Sequence, residues 1–151
     1  MEYVLYAEIN GTLSKISEKV LDILKRDCTF GEVGGIKVGH NEMCCYCDVF
    51  TLCIDNISDT IKCIAEESKQ SVNIEFYMDL NTKCENVVAK TIYFVGKLMQ
   101  GFLGNVVLMQ NGDTPIVMRS GENVIVDKTK VPYFYPFEML GMEYEVNRIN
   151  F

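Results

Sequence analysis

The clearest candidate for chemistry is a run of metal-ligating and nucleophilic side chains in the first third of the chain. His40 is followed by Cys44, Cys45, Cys47 and Cys53. Zinc takes four tetrahedral nitrogen or sulfur ligands, commonly supplied by two paired knuckles. Cys44 and Cys47 have the C-x-x-C spacing, but no second such pair occurs, and in an extended strand Cys45 and Cys47 share a face that Cys44 does not. Three thiolates from one strand do not easily close around one ion, so the pattern favours cysteines that fill core space.

Nucleophilic catalysis by one of these thiols would need a base, and His40 is the only histidine. No surrounding turn motif supports such a dyad, and the G-x-S-x-G turn of serine hydrolases is absent. We therefore assign no catalytic residue, no metal ligand and no cofactor. The alternative is a small metal- or thiol-dependent enzyme, or a ligand-binding module, centred on His40 and the Cys44–Cys53 strand.

Carboxylates form a second candidate group, on the most regular strand of the sequence. Glu75 and Asp79 lie on the polar side of an alternating segment, with Tyr77 between them. Acid–base catalysis would need a cleft that separates their pKa values, whereas carboxylates on a solvated sheet face are routine. A tyrosine within a charged rim is typical of a protein-binding hot spot, so we predict that a partner binds here. Further binding candidates are Asp55, Asp59, Glu66 and Glu67.

The chain is acidic, which bears on the kind of partner. It has 14 Lys and Arg against 21 Asp and Glu, for a formal net charge of −7. This balance argues against nucleic acid as a direct ligand, because binding it requires a cationic surface. An acidic surface favours fast capture of a basic protein. No apolar run reaches the roughly 20 residues of a membrane helix, so we expect no membrane partner, and the oligomeric state is left open.

The compartment is suggested by the N-terminus and by the cysteines. Met1–Tyr6 carries a carboxylate and lacks the basic residues that begin a secretory signal. Seven cysteines, an odd number without a regular framework, suit a reducing environment. We expect a cytoplasmic protein.

Hydrophobic periodicity predicts both strands and helices in the first half of the chain. The predicted elements are a strand over residues 2–9, a helix from Leu13 to near Cys28, a short strand or ordered loop over Gly31–Gly39, one long strand over Met43–Ile54 with a bulge near Val49, and a short helix capped by the turn Asp55–Ser58.

The second half continues with a strand, a helix and hairpins. Its predicted elements are a strand over Val72–Leu80, a helix behind the capping box Thr82–Glu85 that stops around Gly101–Gly104, a three-stranded meander with turns at Asn111-Gly112 and Gly121-Glu122-Asn123, a turn of helix at Phe137–Leu140 and a short strand at Met142–Val146. Together these elements predict an α+β fold in one domain over residues 1–151. We expect a mainly antiparallel sheet with two long helices and one short helix packed on one face.

The meander carries a resemblance to a known family. Residues 106–127 read Val-Val-Leu-Met-Gln-Asn-Gly-Asp-Thr-Pro-Ile-Val-Met-Arg-Ser-Gly-Glu-Asn-Val-Ile-Val-Asp. Behind a strand and a helix, this segment is similar to the C-terminal half of small immunity proteins from bacterial polymorphic-toxin and contact-inhibition systems. These include the SitI-type immunity proteins, which end in a comparable hydrophobic hairpin with an Asn-Gly-Asp turn and a following Arg. We expect Arg119 and Asp113 to serve the hairpin rather than a partner.

The resemblance implies a cytoplasmic protein without an active site, which binds one toxin domain and blocks it. The partner would be a cognate protein toxin of basic charge, and nucleases are one class of such toxins. An adaptor whose acidic face recognises another protein is a third reading of the same residues.

Overall fold

The centre of the sheet is strand β1 (Glu2–Ala7), which, like its neighbour β6 (Val106–Gln110), is buried on both sides. The computed structural model describes residues 1–151 and contains a single sheet of nine strands, in the order β2-β3-β4-β5-β1-β6-β7-β8-β9. The strands are β1 (Glu2–Ala7), β2 (Gly34–Val38), β3 (Glu42–Tyr46), β4 (Phe50–Asp55), β5 (Ile74–Leu80), β6 (Val106–Gln110), β7 (Thr114–Ser120), β8 (Asn123–Val126) and β9 (Glu145–Val146). Only the β8–β9 pair is parallel. The predicted α+β class and antiparallel sheet are confirmed, and the sheet is larger than the sequence pattern indicated.

Three helices accompany the sheet: α1 (Leu13–Arg26), α2 (Asp59–Ser68) and α3 (Val87–Gly101). Two of them begin with a hydroxyl cap, since Thr12 accepts a hydrogen bond from the Lys15 N–H and Ser58 accepts one from the Thr60 N–H. The expected two long helices and one short helix are present. A short 3₁₀ helix at Phe137–Leu140 lies where a helical turn was predicted.

The helices do not all lie on one face of the sheet, and this part of the sequence prediction was wrong. Helices α1 and α3 cover the face that carries Tyr3 and Leu5 of β1. The main core lies between these two helices and the sheet. Helix α2 packs on the opposite face, over Val4 and Tyr6. The reason is that β1 is apolar at consecutive positions, so it presents hydrophobic side chains to both faces.

The predicted single strand over Met43–Ile54 is a hairpin of β3 and β4 instead. The slip in alternation that suggested a bulge near Val49 marks the place where the chain reverses. The turn is closed by the Cys47 N–H, which donates to the Phe50 carbonyl at 3.0 Å. As a result, cysteines that were placed along one strand lie on two neighbouring strands.

The capping box predicted at Thr82–Glu85 does not form either. Helix α3 begins at Val87, and the residue before it, Asn86, has a left-handed backbone with no side-chain cap. The Asn81 side-chain oxygen accepts the Lys83 N–H and so starts a turn where the helix was expected.

The C-terminal end of α3 is held by a buried arginine. Arg119 of β7 donates from Nε to the Gly104 carbonyl at 2.8 Å, from Nη1 to the Met99 carbonyl at 2.6 Å and from Nη2 to the Phe102 carbonyl. These carbonyls lie at the end of α3 and just beyond it, where backbone acceptors lack partners and the helix dipole is negative. Arg119 therefore serves the helix end, and not only the hairpin to which the sequence assigned it.

We predict that Arg119→Met destabilises the protein by roughly 3–5 kcal/mol, because three backbone carbonyls at the end of α3 lose a charged donor. Denaturant unfolding measures the effect. Arg26→Met is the matched control, since Arg26 is exposed and pairs only with Asp22 on the surface, and it should cost less than about 0.5 kcal/mol. Equal losses in the two variants would contradict the assigned role.

A buried carboxylate fixes the C-terminal tail. Burial alone would raise the pKa of Asp127, but hydrogen bonds from Thr129 and from the Ile149 N–H, together with Lys130, lower that pKa to about 2. The folded-state pKa lies below the ordinary 3.8, so the stabilisation is complete above about pH 4 and is lost as the pH falls toward 2.

We predict that Asp127→Asn removes part of the acid sensitivity of the fold. The free energy of unfolding should fall at neutral pH, by about 2 kcal/mol, and should change less than in the wild type between pH 4 and pH 2. Urea unfolding across this range is the measurement, with the exposed Asp113→Asn as the matched control. An Asp127→Asn profile parallel to that of the wild type would contradict this explanation.

Candidate functional site

Helix α2 covers only part of its face of the sheet. Its apolar contacts are with β1, β6 and the neighbouring positions of β5 and β7. Over β3 and β4, the side chains of the same face are exposed or half-buried. We call this uncovered region the open face; it consists of Glu42, Cys44 and Tyr46 of β3, Thr51, Cys53 and Asp55 of β4, Glu75, Tyr77 and Asp79 of β5, and Glu2 of β1.

One row of the open face consists of three carboxylates. Glu42 is in register with Asp55, and Asp55 is in register with Glu75, so the three side chains lie on adjacent strands. Neighbouring strands are only about 4.8 Å apart, and like charges directly opposite one another destabilise a sheet. Such a row favours a positively charged partner, because neutralising it relieves the repulsion.

Two of these carboxylates accept hydrogen bonds from the turn before α2 and from its first residues. Asp55 accepts the Ile57 N–H at 2.7 Å. Glu75 accepts the Thr60 hydroxyl at 2.5 Å and the Ser58 hydroxyl at 3.4 Å. These donors fix the two side chains, so the row has a defined geometry before any partner binds.

A second row contains Asp79 and Glu2, which are in register on β5 and β1. The Tyr77 hydroxyl donates to Glu2 Oε2 at 2.5 Å. That hydrogen bond to the carboxylate, with burial and the charges of Glu2 and Asp79 adding to it, raises the pKa of Tyr77 to about 12. Tyr77 also packs against the small hydrophobic cluster beneath α2, so its side chain is half-buried.

The more exposed aromatic ring of this face is Tyr46. It is 55% exposed, and it lies across the backbone of β2. A Cβ atom at Gly34 would lie 2.7 Å from the Tyr46 hydroxyl oxygen, and one at Gly35 would lie 2.5 Å from the ring. The glycines of β2 therefore make room for Tyr46, which explains why this segment is rich in glycine.

The structure thus brings together four of the predicted binding residues, Asp55, Glu75, Tyr77 and Asp79, on adjacent strands. The other three, Asp59, Glu66 and Glu67, are exposed on α2. They lie on the same side of the sheet but belong to the helix. Sequence reasoning left Glu2 and Glu42 out of the set, because their place on this face depends on which strands pair.

The residues of the alternative site predicted around His40 lie in different parts of the structure. His40 is exposed in the turn between β2 and β3. Cys45 and Cys47 are buried in the main core, and burial raises the pKa of the Cys45 thiol to about 11. Cys44 and Cys53 face each other across β3 and β4 and are joined by a disulfide. The clefts found along α1, beside β8 and beside Gly104 are lined by other residues than these.

Comparison with family models, with characterised proteins and with solved structures found no match to this chain. None of the three helices combines the length and the apolar character needed to cross a bilayer.

The hydrogen bond between Tyr77 and Glu2 should control the pH at which the Tyr77 hydroxyl ionises. Glu2→Gln should bring the pKa of Tyr77 from about 12 back toward its ordinary 10.0, because the charged acceptor is gone. Since the folded-state pKa is the raised one, the stabilisation is complete below about pH 10 and disappears between pH 10 and pH 12. The Tyr77 Cζ chemical shift, followed by NMR across this range, measures the change.

Asp79→Asn is the matched control for this titration. Asp79 makes the smallest of the contributions that raise the pKa of Tyr77, so its removal should shift the midpoint less than Glu2→Gln does. A larger shift in Asp79→Asn would contradict the assigned hydrogen bond.

Proposed function

We propose that this chain is an immunity-type protein, which binds a cognate bacterial toxin domain and occludes its active site. The observation that carries the proposal is the open face, with its row of Glu42, Asp55 and Glu75 at one end of the strands and Tyr46 and Asp79 at the other. The proposal also rests on the resemblance of the meander to SitI-type immunity proteins.

The shape of the open face suits a protein better than a small ligand. Small-molecule sites are concave and bury most of the ligand, whereas these side chains project from a sheet surface whose neighbouring strands are all paired. A large, complementary surface would be needed to cover them. A protein domain supplies such a surface, and a small molecule does not.

The charge of the open face indicates a basic partner. The whole chain has a net charge of −7, and carboxylates arranged in rows concentrate part of that charge on one side. Such a field accelerates association with a cationic surface and rejects acidic partners. A toxin that acts on nucleic acid has a basic cleft, so a nuclease toxin is the partner class that fits best.

Two tyrosines give the open face its apolar anchors. Tyr46 has a large exposed ring, and Tyr77 is held in place by Glu2. Aromatic residues in the centre of a polar rim carry much of the binding energy in protein interfaces. The exposed carboxylates of α2, Asp59, Glu66 and Glu67, extend the rim beside them. Under this proposal the protein acts in the cytoplasm, has no catalytic residue and needs no cofactor.

The proposal is tested with the protein encoded next to the gene of this chain. Purified partner and wild-type chain should form a complex that blocks toxin activity. Asp79→Lys and Tyr46→Ala should each weaken the complex at least about 10-fold, because they remove a charge and an anchor from the binding face. Calorimetric titration measures the affinity.

Matched controls are available on other surfaces. Glu18→Lys makes the same charge change on α1, and Tyr133→Ala removes a ring that is 94% exposed. Both should bind the partner as the wild type does. Weaker binding in the controls than in the open-face variants would contradict the proposed face, and failure of any neighbouring gene product to bind would contradict the proposed function.

A further inference from the structure

The open face contains one pair of cysteines that the core does not use. Cys44 and Cys53 are directly opposite on β3 and β4, with 4.2 Å between their Cα atoms, and a disulfide joins their sulfur atoms. Both residues are half-buried on the solvent side of the sheet. Cys45 and Cys47, in contrast, point into the main core and act as small hydrophobic residues.

A carboxylate lies beside this pair. Glu42 precedes Cys44 by two residues, so both side chains are on the same face of β3. Glu42 Oε1 is 3.0 Å from Cys44 Sγ. One carboxylate oxygen and the two sulfur atoms all lie within 4.8 Å of one another. His40, although close in sequence, does not belong to this group.

We propose that the reduced pair, Cys44 and Cys53, binds Zn²⁺ together with Glu42. Two thiolates and one carboxylate are a donor set that suits zinc and disfavours Mg²⁺ and Ca²⁺, which prefer oxygen ligands alone. Three protein ligands leave the fourth tetrahedral position to water or to a ligand from outside the chain. The metal proposal does not rest on the proposed function, although Glu42 belongs to the carboxylate row as well. The site differs from the predicted one because its thiols come from two strands.

The charges around the site agree with a bound cation. Two thiolates and a carboxylate carry three negative charges, which Zn²⁺ reduces to one. Lys37 of β2 is in register with Cys44 on the neighbouring strand and can balance the remainder. Asp55, in register with Glu42, adds further negative potential on the same face.

The disulfide and the metal site exclude each other, because two sulfur atoms that are bonded to one another are not the thiolates that ligate the metal. A dithiol reductant gives two electrons and two protons to the Cys44–Cys53 disulfide and becomes a disulfide itself. The two thiols that result lose their protons when Zn²⁺ binds, because thiolates are the metal ligands. The oxidised protein is therefore a control that has the same sequence but lacks the site.

The test uses Co²⁺ as a spectroscopic probe for Zn²⁺ in the full chain, reduced and kept free of oxygen. We expect one equivalent of Co²⁺ to produce thiolate-to-metal charge-transfer bands and tetrahedral d–d bands, which Zn²⁺ then abolishes. Cys44→Ser and Cys53→Ser should each weaken Zn²⁺ binding by more than about 100-fold, because substitution of second-shell residues alone costs 10–100-fold. Glu42→Gln should weaken it about 10-fold or more.

Cys63→Ser is the matched control, since Cys63 is an exposed thiol on α2 that has no place in the site. It should bind Co²⁺ and Zn²⁺ as the wild type does, and circular dichroism should show that all variants are folded. The proposal is overturned if the reduced wild type shows no tetrahedral Co²⁺ spectrum, or if Cys53→Ser or the oxidised protein retains it. Because the experiment involves no partner protein, neither result decides whether the chain binds a toxin.

Discussion

The architecture depends on the burial of β1 on both sides. Tyr3, Leu5 and Ala7 face α1 and α3, while Val4 and Tyr6 face α2. Pairing with β5 on one edge and β6 on the other puts β1 in the middle of the sheet. A strand that is apolar on both faces requires a covering layer on each face. On the second face, the short helix α2 provides this layer.

The open face follows from the size of that helix. Helix α2 has ten residues, so it is about 15 Å long and about 10 Å wide. Strands spaced about 4.8 Å apart leave room for only about four of them beneath such a helix, and its apolar contacts reach β5, β1, β6 and β7. The sheet has nine strands, and the second face is consequently left uncovered over β3 and β4. Polar and charged side chains occupy these positions because solvent reaches them.

The uncovered region combines features that the interior of a domain would not tolerate. Three carboxylates in register repel one another, and only hydrogen bonds from the start of α2 offset part of the repulsion. The same region holds Tyr46 in the space left by Gly34 and Gly35. A basic partner would neutralise the carboxylates and bury the ring in a single event, and this combination supports a binding role.

Local patterns in the sequence predicted the elements that depend on neighbouring residues. Helix α1, the strand that ends at Leu80 and the meander of β6, β7 and β8 agree with the structure, because period and turn residues are local signals. The β3–β4 reversal was read as a bulge, since a tight turn and a bulge disturb alternation in the same way. Which face α2 covers, and which cysteines meet, depends on strand order, which no local pattern contains.

If the open face is the binding surface, it meets solvent in the free protein and is covered by a partner in the complex. Carbodiimide labelling of carboxylates, read out by mass spectrometry, tests it most directly. Glu42, Asp55 and Asp79 should react in the free chain and become protected when the neighbouring gene product binds, whereas Glu18 and Glu122 should react equally in both states. Unreactive open-face carboxylates in the free chain, or protection confined to Glu18 and Glu122, would contradict it.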